Sequence, residues 1–586
     1  MRSSQLVRSA AASTSSASLP PRARVAIIGA GPSGFYAASR LLSRIPYSSA
    51  HSAAEQPLAI DIFERLPVPH GLVRYGVAPD HPDVKNVENK FASVAQDPRL
   101  RFAGNVNVVH TPPSGSGPGA LQYPEAVQLP LDLLSRYYTH ILFSYGASAG
   151  RRLGIPGSGP GELDGVYTAL EFVNWYNGHP ASHDATLQAA PLHIDLAGKQ
   201  HMSVVGAGNV ALDVARIVMR SSTPFLEPGT ASERVTSNKA PGLAALEATD
   251  VPEPVLAELA RSKVRHVDIF ARRGPAQLAF TNKEVREMLA LEGIALRTPQ
   301  KQLLDEAGAQ LEQLAATEGG GERAQEVASE VRVKKRLLSL LAKGSKTKHA
   351  EDGVKSWALN FFRSPARILP RQNDAHAVGA VEWNVTALQT AKPTVANLDA
   401  ADPKKAAYAG EPASTSARAT GETVTTPTDL VVASVGYQSL PLDPSPAPAV
   451  PAVEDGRLVR LPFDARRHVV PNRAGRIVDP VSGDVVPRAY VSGWLARGPT
   501  GIIASTMLDA HAVADSMLSD MHTQPPTHHA ESHDDLLQLL QKTQTHRIVG
   551  LDDWNRIDAE EQARGQKLGK LREKILTVRE MLAILQ

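Results

Sequence analysis

The chain has 586 residues, of which 42% are hydrophobic and 21% are charged, and its formal net charge is +2. This length favours two or three domains, and the near-neutral charge on a globular composition gives no overall case for nucleic-acid binding. The chain has no run of roughly 18 apolar residues, as a membrane-spanning helix requires, and no cysteine, which excludes disulfides, thiolate-bound iron–sulfur clusters and redox-active cysteine pairs of its own.

Residues 1–22 differ in composition from the rest of the chain. No acidic residue precedes Glu55, whereas Arg2 and Arg8 lie among many serines and alanines. This basic, serine-rich segment predicts a mitochondrial transit peptide, and the alternative is a disordered tail with no targeting role. A secretory signal is disfavoured because the segment has no apolar core of sufficient length.

A first glycine-rich turn follows. Residues 25–34 read VAIIGAGPSG, which predicts the strand, tight turn and helix start of a dinucleotide-binding βαβ unit. Gly29 and Gly31 permit the turn and let backbone N–H groups approach a pyrophosphate. The next predicted strand ends on Glu64, which would accept a hydrogen bond from a ribose 2′-hydroxyl and repel a 2′-phosphate. We therefore expect residues 23–147 to form the first part of an FAD-binding domain, with residues 111–130 as a surface loop.

A second glycine-rich turn, MSVVGAGNVA, occupies residues 202–211. The strand predicted after its helix ends on Arg272 and Arg273, and paired guanidiniums suit a phosphate dianion. This turn therefore predicts an NADP site, although a solvated strand end is the alternative for the two arginines alone. Two such turns indicate two dinucleotides, and we expect residues 148–437 to form the NADP-binding domain.

The same domain contains two further segments of distinct composition. Residues 300–355 are charged and predicted to be helical, and they carry a basic cluster, Arg332, Lys334, Lys335 and Arg336. Residues 386–428 are rich in alanine, threonine and proline, and we expect an inserted loop there.

Residues 438–586 are expected to return to the first domain. The stretch around Trp494 predicts a strand, a glycine-rich loop and a helix that begins near Gly501. If the positive N-terminal end of that helix faces the flavin, it stabilises the negative charge that a reduced flavin acquires. Four histidines, His522, His528, His529 and His533, have no metal-ligand spacing, so a flexible linker is expected there instead of a metal site. An amphipathic helical tail begins at Leu551 and is expected to pack back on the body.

Several motifs together resemble the mitochondrial NADPH–adrenodoxin (ferredoxin) reductase family. They are GAGPSGFYAA, VRYGVAPDHPDVKNV, GAGNVALDVARI, RRGPAQLAFTNKEVREM and GWLARGPTGII. The likeness covers nearly all of residues 24–586, apart from the loops predicted at 111–130 and 386–428. It implies an α/β fold with two Rossmann-like dinucleotide-binding domains, in which the FAD domain is discontinuous and the NADP domain is inserted in it.

The resemblance also implies which residues bind the cofactors. For FAD they are Gly29, Gly31, Ser33, Gly34, Glu64, Leu72, Val106, Trp494, Gly501, Ile502 and Ile503. For NADP they are Ala207, Gly208, Asn209, Val210, Arg272, Arg273 and Glu284, with Gly501 near the nicotinamide. The family has valine where Ile502 stands, and on the sequence alone Trp494 could equally be a core residue.

Family placement makes His81 and Asp213 the candidate catalytic residues near the flavin. They would assist proton delivery or orient the nicotinamide, and the alternative is that both are structural loop or capping residues. No metal site is expected.

The implied function is electron transfer in the mitochondrial matrix. NADPH would reduce FAD, and FAD would pass single electrons to an adrenodoxin-type [2Fe–2S] ferredoxin. The ferredoxin would dock on Arg286, Arg332, Lys334, Lys335 and Arg336, unless these are only a solvated helix face. Membrane association would be peripheral at most. An NADPH-dependent flavin monooxygenase and a non-enzymatic NADPH-binding scaffold are the alternatives.

Overall fold

A computed structural model describes most of the chain outside the predicted transit peptide. The described residues are 23–49, 51, 56–110, 122–187, 192–222, 241–317, 322–347, 355–390, 415–442, 452–454, 457–523 and 533–586. The predicted transit peptide and His528 and His529 lie outside these residues. Within them, no helix combines the length and the apolar character that crossing a bilayer would require.

The first stretch alternates strands and helices. Its strands are β1 (Ala23–Ile28), β2 (Leu58–Phe63), β3 (Leu100–Ala103), β4 (Val106–Val109), β5 (Val127–Pro130), β6 (His140–Phe143) and β7 (Ala149–Gly150). Its helices are α1 (Pro32–Arg44), α2 (Leu72–Tyr75), α3 (Pro82–Lys85), α4 (Val87–Ala95) and α5 (Leu131–Tyr137).

The middle stretch repeats the alternation and adds a three-stranded antiparallel sheet. Its strands are β8 (Val166–Thr168), β9 (His201–Val205), β10 (His266–Phe270), β11 (Ile294–Arg297), β12 (Lys355–Asn360), β13 (Arg363–Arg371), β14 (Asp374–Thr390), β15 (Thr415–Pro427), β16 (Leu430–Ala433) and β17 (Tyr437–Gln438). Its helices are α6 (Ala169–Tyr176), α7 (Pro180–His183), α8 (Asn209–Ser221), α9 (Pro241–Glu247), α10 (Glu253–Arg261), α11 (Asn282–Ala290), α12 (Lys301–Thr317) and α13 (Glu322–Lys343). The strands β13, β14 and β15 form the antiparallel sheet.

The last stretch returns to the first sheet and ends in helices. Its strands are β18 (Val453–Glu454), β19 (Arg457–Leu458), β20 (Asn472–Arg473), β21 (Arg476–Val478) and β22 (Val485–Val491). Its helices are α14 (Trp494–Arg497), α15 (Ile503–Thr523), α16 (His533–Thr543), α17 (Leu551–Leu568) and α18 (Val578–Ala583). The amphipathic tail predicted from Leu551 is therefore confirmed as helical, and His533 begins a helix where a linker was predicted.

Two sheets define two domains. The first domain is the seven-stranded sheet β20-β21-β22-β6-β1-β2-β3 with the elements packed on it, and the second is the six-stranded parallel sheet β11-β12-β10-β9-β16-β8 with its helices. The first sheet takes strands from both ends of the described chain, whereas the second takes strands from the middle. The prediction of two Rossmann-like domains, one inserted in the other, is therefore confirmed.

The tail packs into the core of the first domain. Trp554, Ile557, Ile575, Val578 and Met581 are buried together with side chains of α1, α4 and α15. Burying a large apolar side chain contributes roughly 1.5–3 kcal/mol, so the tail is an integral part of this domain's core.

Two predicted loops prove to contain strands. In the segment 386–428, the described residues belong to the hairpin of β14 and β15, which pair antiparallel with Trp383 opposite Val424. The ring of Trp383 stacks on Phe270 at the end of β10, with centroids 3.7 Å apart, and this contact fixes the hairpin to the second sheet. In the segment 111–130, the last four residues form β5, paired with β4, and its Val127 and Leu129 are buried. The sequence was misleading because proline, glycine and alanine are disfavoured in strands, whereas strand pairing is decided by distant partners.

Candidate functional site

The first glycine-rich turn leaves room for a ligand at the start of α1. Gly31 is the N-cap of α1, no side chain caps the helix, and a methyl group on Gly31 would meet nothing within 4 Å. Gly29 has a φ of +109°, and a methyl group there would lie 2.6 Å from the Cα of Tyr145. The turn therefore requires glycine, and its uncapped N–H groups offer the geometry that binds a pyrophosphate.

Glu64, Val106 and Leu72 lie beside this turn. A carboxylate oxygen of Glu64 accepts the N–H of Ala30 at 2.9 Å, and the carbonyl of Glu64 accepts the N–H of Val106 at 2.8 Å. Leu72 follows Gly71, on which a methyl group would lie 3.4 Å from the Cα of Gly31. Burial raises the pKa of Glu64. These residues come from three separate segments, and the structure brings them to one edge of the first sheet.

The start of α15 is tied to the same edge. The hydroxyl of Ser33 lies 2.7 Å from that of Ser492, and the N–H of Gly493 donates to Asp509 of α15 at 2.6 Å. A methyl group on Gly493 would lie 2.9 Å from the Cβ of Ser33. The turn Ser492–Gly493 therefore lies directly against the N-terminus of α1. Ser33 and Gly34 are themselves buried. Ser33 contributes its hydroxyl to the contact with Ser492, and Gly34 permits close packing, because a methyl group there would clash with a backbone carbonyl oxygen of the first glycine-rich turn.

The remaining predicted FAD residues lie in α14 and around the start of α15. α15 begins at Ile503, two positions after the predicted start at Gly501, and Ile502 is 60% exposed. Trp494 is half-buried, and its ring lies 5.8 Å from that of Tyr437, which is part of the strand pair β7–β17. Trp494 therefore stands at the domain junction and not in a core.

The second glycine-rich turn repeats the geometry of the first. Gly208 is the N-cap of α8, no side chain caps the helix, and a methyl group on Gly208 would meet nothing within 4 Å. The side-chain oxygen of Asn209 accepts the N–H of Thr281 at 2.9 Å, which ties the start of α8 to the start of α11. Ala207 and Val210 are half-buried on either side of this turn. The N-terminus of α8 is thus uncapped, which is the geometry that anion binding uses, and α11 supports it.

Arg272 and Arg273 come two and three residues after the end of β10. The carbonyl of Arg272 accepts the hydroxyl of Thr386 at 2.7 Å, so the hairpin β14–β15 positions the pair. Burial, and then the charge of Arg272, lower the pKa of Arg273. Among the described residues, neither guanidinium has an ion-pair partner. Two adjacent unpaired positive charges form a site for a dianion such as a phosphate.

A network of charged side chains spans the junction of the two domains, with Arg216 of α8 at its centre. Its guanidinium lies 2.7 Å from Asp80, 2.7 Å from Asp213 and 2.8 Å from Glu284. Arg220 binds Asp80 as well, at 2.7 Å. Asp80 belongs to the first domain and the other residues to the second, so Arg216, only 2% exposed, joins the domains through a buried ion pair.

His81 occupies the same junction. Its Nε2 lies 2.7 Å from a carboxylate oxygen of Glu287 on α11. One ligand atom each of His81, Glu284 and Glu287 lie within 4.8 Å of one another. The nearby guanidinium of Arg216, 3.6 Å from Glu287, already supplies positive charge, which disfavours a cation at this position.

The structure therefore brings the predicted residues His81, Asp213 and Glu284 together across the two domains. Burial raises the pKa of Asp213 to about 7, against the opposing effect of Arg216. The sequence prediction missed four members of this network, Asp80, Arg216, Arg220 and Glu287. The spacing of Asp213 and Arg216, three residues apart on a predicted helix, is a signal that could have identified one of them.

The basic cluster on α13 divides into two kinds of residue. Lys334 binds Glu330 at 2.7 Å, and Lys335 binds Glu312 of α12 at 2.9 Å. Arg332 and Arg336, one helical turn apart, are exposed and have no ion-pair partner in the described part of the chain. α13 packs against α11, which carries the exposed Arg286.

Comparisons with known proteins place this geometry in a family. No protein-family model matches the chain. It is 35% identical over 569 residues to mitochondrial NADPH:adrenodoxin oxidoreductase of Bos taurus, covering 96% of this chain and 92% of the relative. It is 33% identical over 575 residues to the mitochondrial enzyme of the same name from Arabidopsis thaliana, covering 97% and 96%.

Solved structures agree with the sequence comparisons. FprA from Mycobacterium tuberculosis is 30% identical and superposes with a TM-score of 0.70, covering 96% of this chain and 99% of FprA. FprA in complex with NADPH superposes with a TM-score of 0.69 at 29% identity, with the same coverage of both chains. The chain therefore belongs to the NADPH:adrenodoxin oxidoreductase family.

Proposed function

We propose that this protein takes electrons from NADPH through FAD and passes them singly to an adrenodoxin-type [2Fe–2S] ferredoxin in mitochondria. The observation that carries the proposal is the pair of uncapped glycine-rich turns in two domains joined by the Asp80–Arg216 ion pair. The relatives' names, which give NADPH, adrenodoxin and mitochondria, and the complex of FprA with NADPH support it. Residues 1–22 would direct the chain to the matrix.

FAD fits the first domain. The open N-terminus of α1 would hold its pyrophosphate. The carboxylate of Glu64 would accept hydrogen bonds from the ribose hydroxyls, which carry no phosphate in FAD and so need no positively charged partner. Leu72, Val106 and Trp494, with Gly501, Ile502 and Ile503 at the start of α15, would line the rest of the site. When bound, FAD supplies the chemistry that accepts two electrons together and releases them one at a time.

NADPH fits the second domain. The turn Ala207–Val210 would hold the pyrophosphate at the start of α8, where the N–H groups are uncapped. Arg272 and Arg273 would hold the 2′-phosphate, and their unpaired charges would favour NADPH over NADH. Glu284, bonded to Arg216, would lie where the nicotinamide half enters the junction.

His81 and Asp213 are proposed to hold and exchange protons at the junction. Glu287 orients the imidazole of His81 through Nε2, and Arg216 orients the carboxylate of Asp213. A carboxyl whose pKa is about 7 is poised between its two protonation states at physiological pH, as general acid–base groups are.

The ferredoxin is proposed to dock on the exposed arginines. Arg332 and Arg336 retain free positive charge, and Arg286 lies on the neighbouring helix, so an acidic partner would meet them first. Lys334 and Lys335 were predicted as part of the same surface, but their charges are offset by Glu330 and Glu312. We therefore propose that the two lysines contribute less to docking than Arg332 and Arg336 do.

The domain limits at 147/148 and 437/438 are proposed as the hinge between the domains. The chain crosses from one domain to the other twice, and the short antiparallel pair of β7 and β17 holds both crossings side by side. Because only two chain segments connect the domains, the second domain could rotate slightly relative to the first. The side-chain contacts at the junction would limit this rotation.

The proposal is tested by reduction of cytochrome c from NADPH, with and without an added mitochondrial [2Fe–2S] ferredoxin. Strong dependence on the ferredoxin is the expected result. Oxidation of NADPH that depends instead on O₂ and an organic substrate would establish a flavin monooxygenase. Purification of a colourless protein that binds NADPH without oxidising it would leave only a binding role.

A further inference from the structure

The C-terminal tail contacts both domains, each through a different kind of side chain. Its apolar residues, among them Trp554 and Ile575, are part of the first domain's core. Its lysines reach the second domain: Lys570 is 1% exposed and Lys574 is fully buried. A tail that served only to complete the first core would not need two buried ammonium groups directed at the other domain, because burying a charge is costly unless it is paired.

Lys574 has a complete set of partners. Its Nζ lies 2.8 Å from a carboxylate oxygen of Asp250, 2.9 Å from the carbonyl of Asn177 and 3.2 Å from the carbonyl of Arg74. Asp250 and Asn177 belong to the second domain, and Arg74 belongs to the first. All three donors of the ammonium group therefore have acceptors, and these acceptors come from both domains.

Asp250 is shared with a lysine of the first domain. The Nζ of Lys85 lies 2.8 and 2.7 Å from the two carboxylate oxygens of Asp250. The side chain of Asn177 donates to the carbonyl of Tyr75 at 3.0 Å. The two lysines and Asp250 thus form one buried cluster where the first domain, the second domain and the tail meet.

Further contacts hold the tail against both domains. Lys570 donates to the carbonyl of Val251 at 2.6 Å and to the carboxylate of Glu253 at 2.9 Å, both in the second domain. On the other side, one guanidinium nitrogen (Nη2) of Arg74, in the first domain, donates to both carboxylate oxygens of Glu561 of α17, at 2.6 and 2.7 Å. The segment between α17 and α18 is therefore fixed on both of its sides.

The tail is linked to both ends of the segment 74–85, which contains the first-domain residues of the interdomain network. Arg74 and Lys85 flank Asp80, which binds Arg216, and His81, which contacts Glu287. A displacement of either end of this short segment would also displace Asp80 and His81, because close-packed segments transmit strain.

We infer that Lys574 is a positioning residue, and that through Asp250 and Lys85 the segment 569–578 clamps the second domain on the first so that the junction residues stay in register. The inference rests on the proposed function, because the register matters for electron transfer from NADPH to FAD. Displacements of about 1 Å in such a geometry can lower a rate by about a hundredfold.

The test replaces Lys574 with methionine, which keeps the side chain's length and removes its charge, and uses Lys567→Met, an exposed lysine on the same tail, as the control. Flavin reduction in a single turnover is measured with NADPH and, separately, with dithionite, which needs no domain register. Lys574→Met is expected to slow reduction by NADPH at least about tenfold and to leave FAD content and reduction by dithionite unchanged.

A second measurement needs no substrate. Hydrogen–deuterium exchange should rise in residues 74–85 of the Lys574→Met protein and stay unchanged in β1 and α1, with no change anywhere in the control. Should Lys574→Met fail to yield holoprotein, Asp250→Asn is measured in the same way, because it removes the shared charge at nearly constant shape.

The outcomes separate the inference from the function on which it rests. If the wild-type flavin is not reduced by NADPH, the proposed function is wrong. If the wild type is fast and the variants reduce with NADPH within twofold of it, the clamp alone is overturned. Equal slowing with NADPH and dithionite, or faster exchange throughout the first domain, would show a general loss of structure and would also overturn the positioning role.

Discussion

Arg216 and the pair Arg272–Arg273 belong to the same domain, yet their guanidiniums have opposite surroundings. Arg216 is buried and bonded to Asp80, Asp213 and Glu284. Arg272 and Arg273 have no ion-pair partner among the described residues, and they repel each other. A buried arginine whose side-chain nitrogens all donate hydrogen bonds to carboxylates stabilises the structure. Unpaired arginines at the surface remain able to bind an anionic ligand.

The largest effect is expected at Arg216. Arg216→Met would leave three carboxylates without their common partner, and breaking a buried pair on one side costs about 3–5 kcal/mol. The free energy of unfolding in urea should fall by that order, and both reduction by NADPH and thermal stability should suffer. The exposed Arg286→Met is the control and should stay within about 0.5 kcal/mol of the wild type. An equally small change at Arg216 would contradict a structural role for the network.

Arg272 and Arg273 should respond in the opposite way. Alanine at either position should lower kcat/KM for NADPH by about ten- to a hundredfold, because a charge-assisted hydrogen bond to the 2′-phosphate is lost. kcat/KM for NADH and the urea midpoint should hardly change. Parallel losses with both nucleotides would mean that the arginines do not recognise the 2′-phosphate.

The basic surface of α13 offers the same contrast within one helix. Arg332→Glu with Arg336→Glu should raise the KM for ferredoxin about tenfold at low salt and flatten its salt dependence, since surface charges mainly steer encounter. The matched control is Lys334→Glu with Lys335→Glu, which changes the net charge by the same amount at residues already paired with Glu330 and Glu312, and it should have a smaller effect. Reduction of ferricyanide should be unaffected in both variants, and a loss in the arginine variant would contradict a docking role for the arginines.

The smallest expected effect is a pH dependence due to Asp213. Its pKa in the folded protein is raised from 3.8 to about 7 by burial. A carboxyl with a raised pKa favours the folded state at low pH, and this contribution is lost as the pH rises from the unfolded pKa to the folded one. Asp213→Asn should therefore gain stability relative to the wild type between pH 6 and pH 7, by about 1 kcal/mol. Urea unfolding at both pH values measures this gain, and a constant difference would show that Asp213 does not titrate in this range.

The geometry of the two glycine-rich turns could largely be predicted because its physical requirements are local. A glycine-rich turn between a strand and a helix needs residues that are close in sequence, and so does the placement of Glu64 or of Arg272 and Arg273 after a strand. The start of α15 was predicted near Gly501, whereas the helix begins at Ile503. The difference arises because the backbone conformation of the preceding loop determines where the helix begins. The fold class followed from two such units in one chain together with the family resemblance.

What the sequence by itself determined, therefore, was the two open glycine-rich turns, the acid beside one and the arginines beside the other. The tertiary structure alone decided which charges are paired. Asp80 and Arg216 are 136 positions apart, and Lys574 and Asp250 are still further apart, so no local pattern reveals that they meet. The strands at 386–428 and the division of the basic cluster were likewise decided by distant partners. Whether a charged side chain is paired, and whether a segment forms a strand, depends on residues that are distant in sequence and become neighbours only when the chain folds.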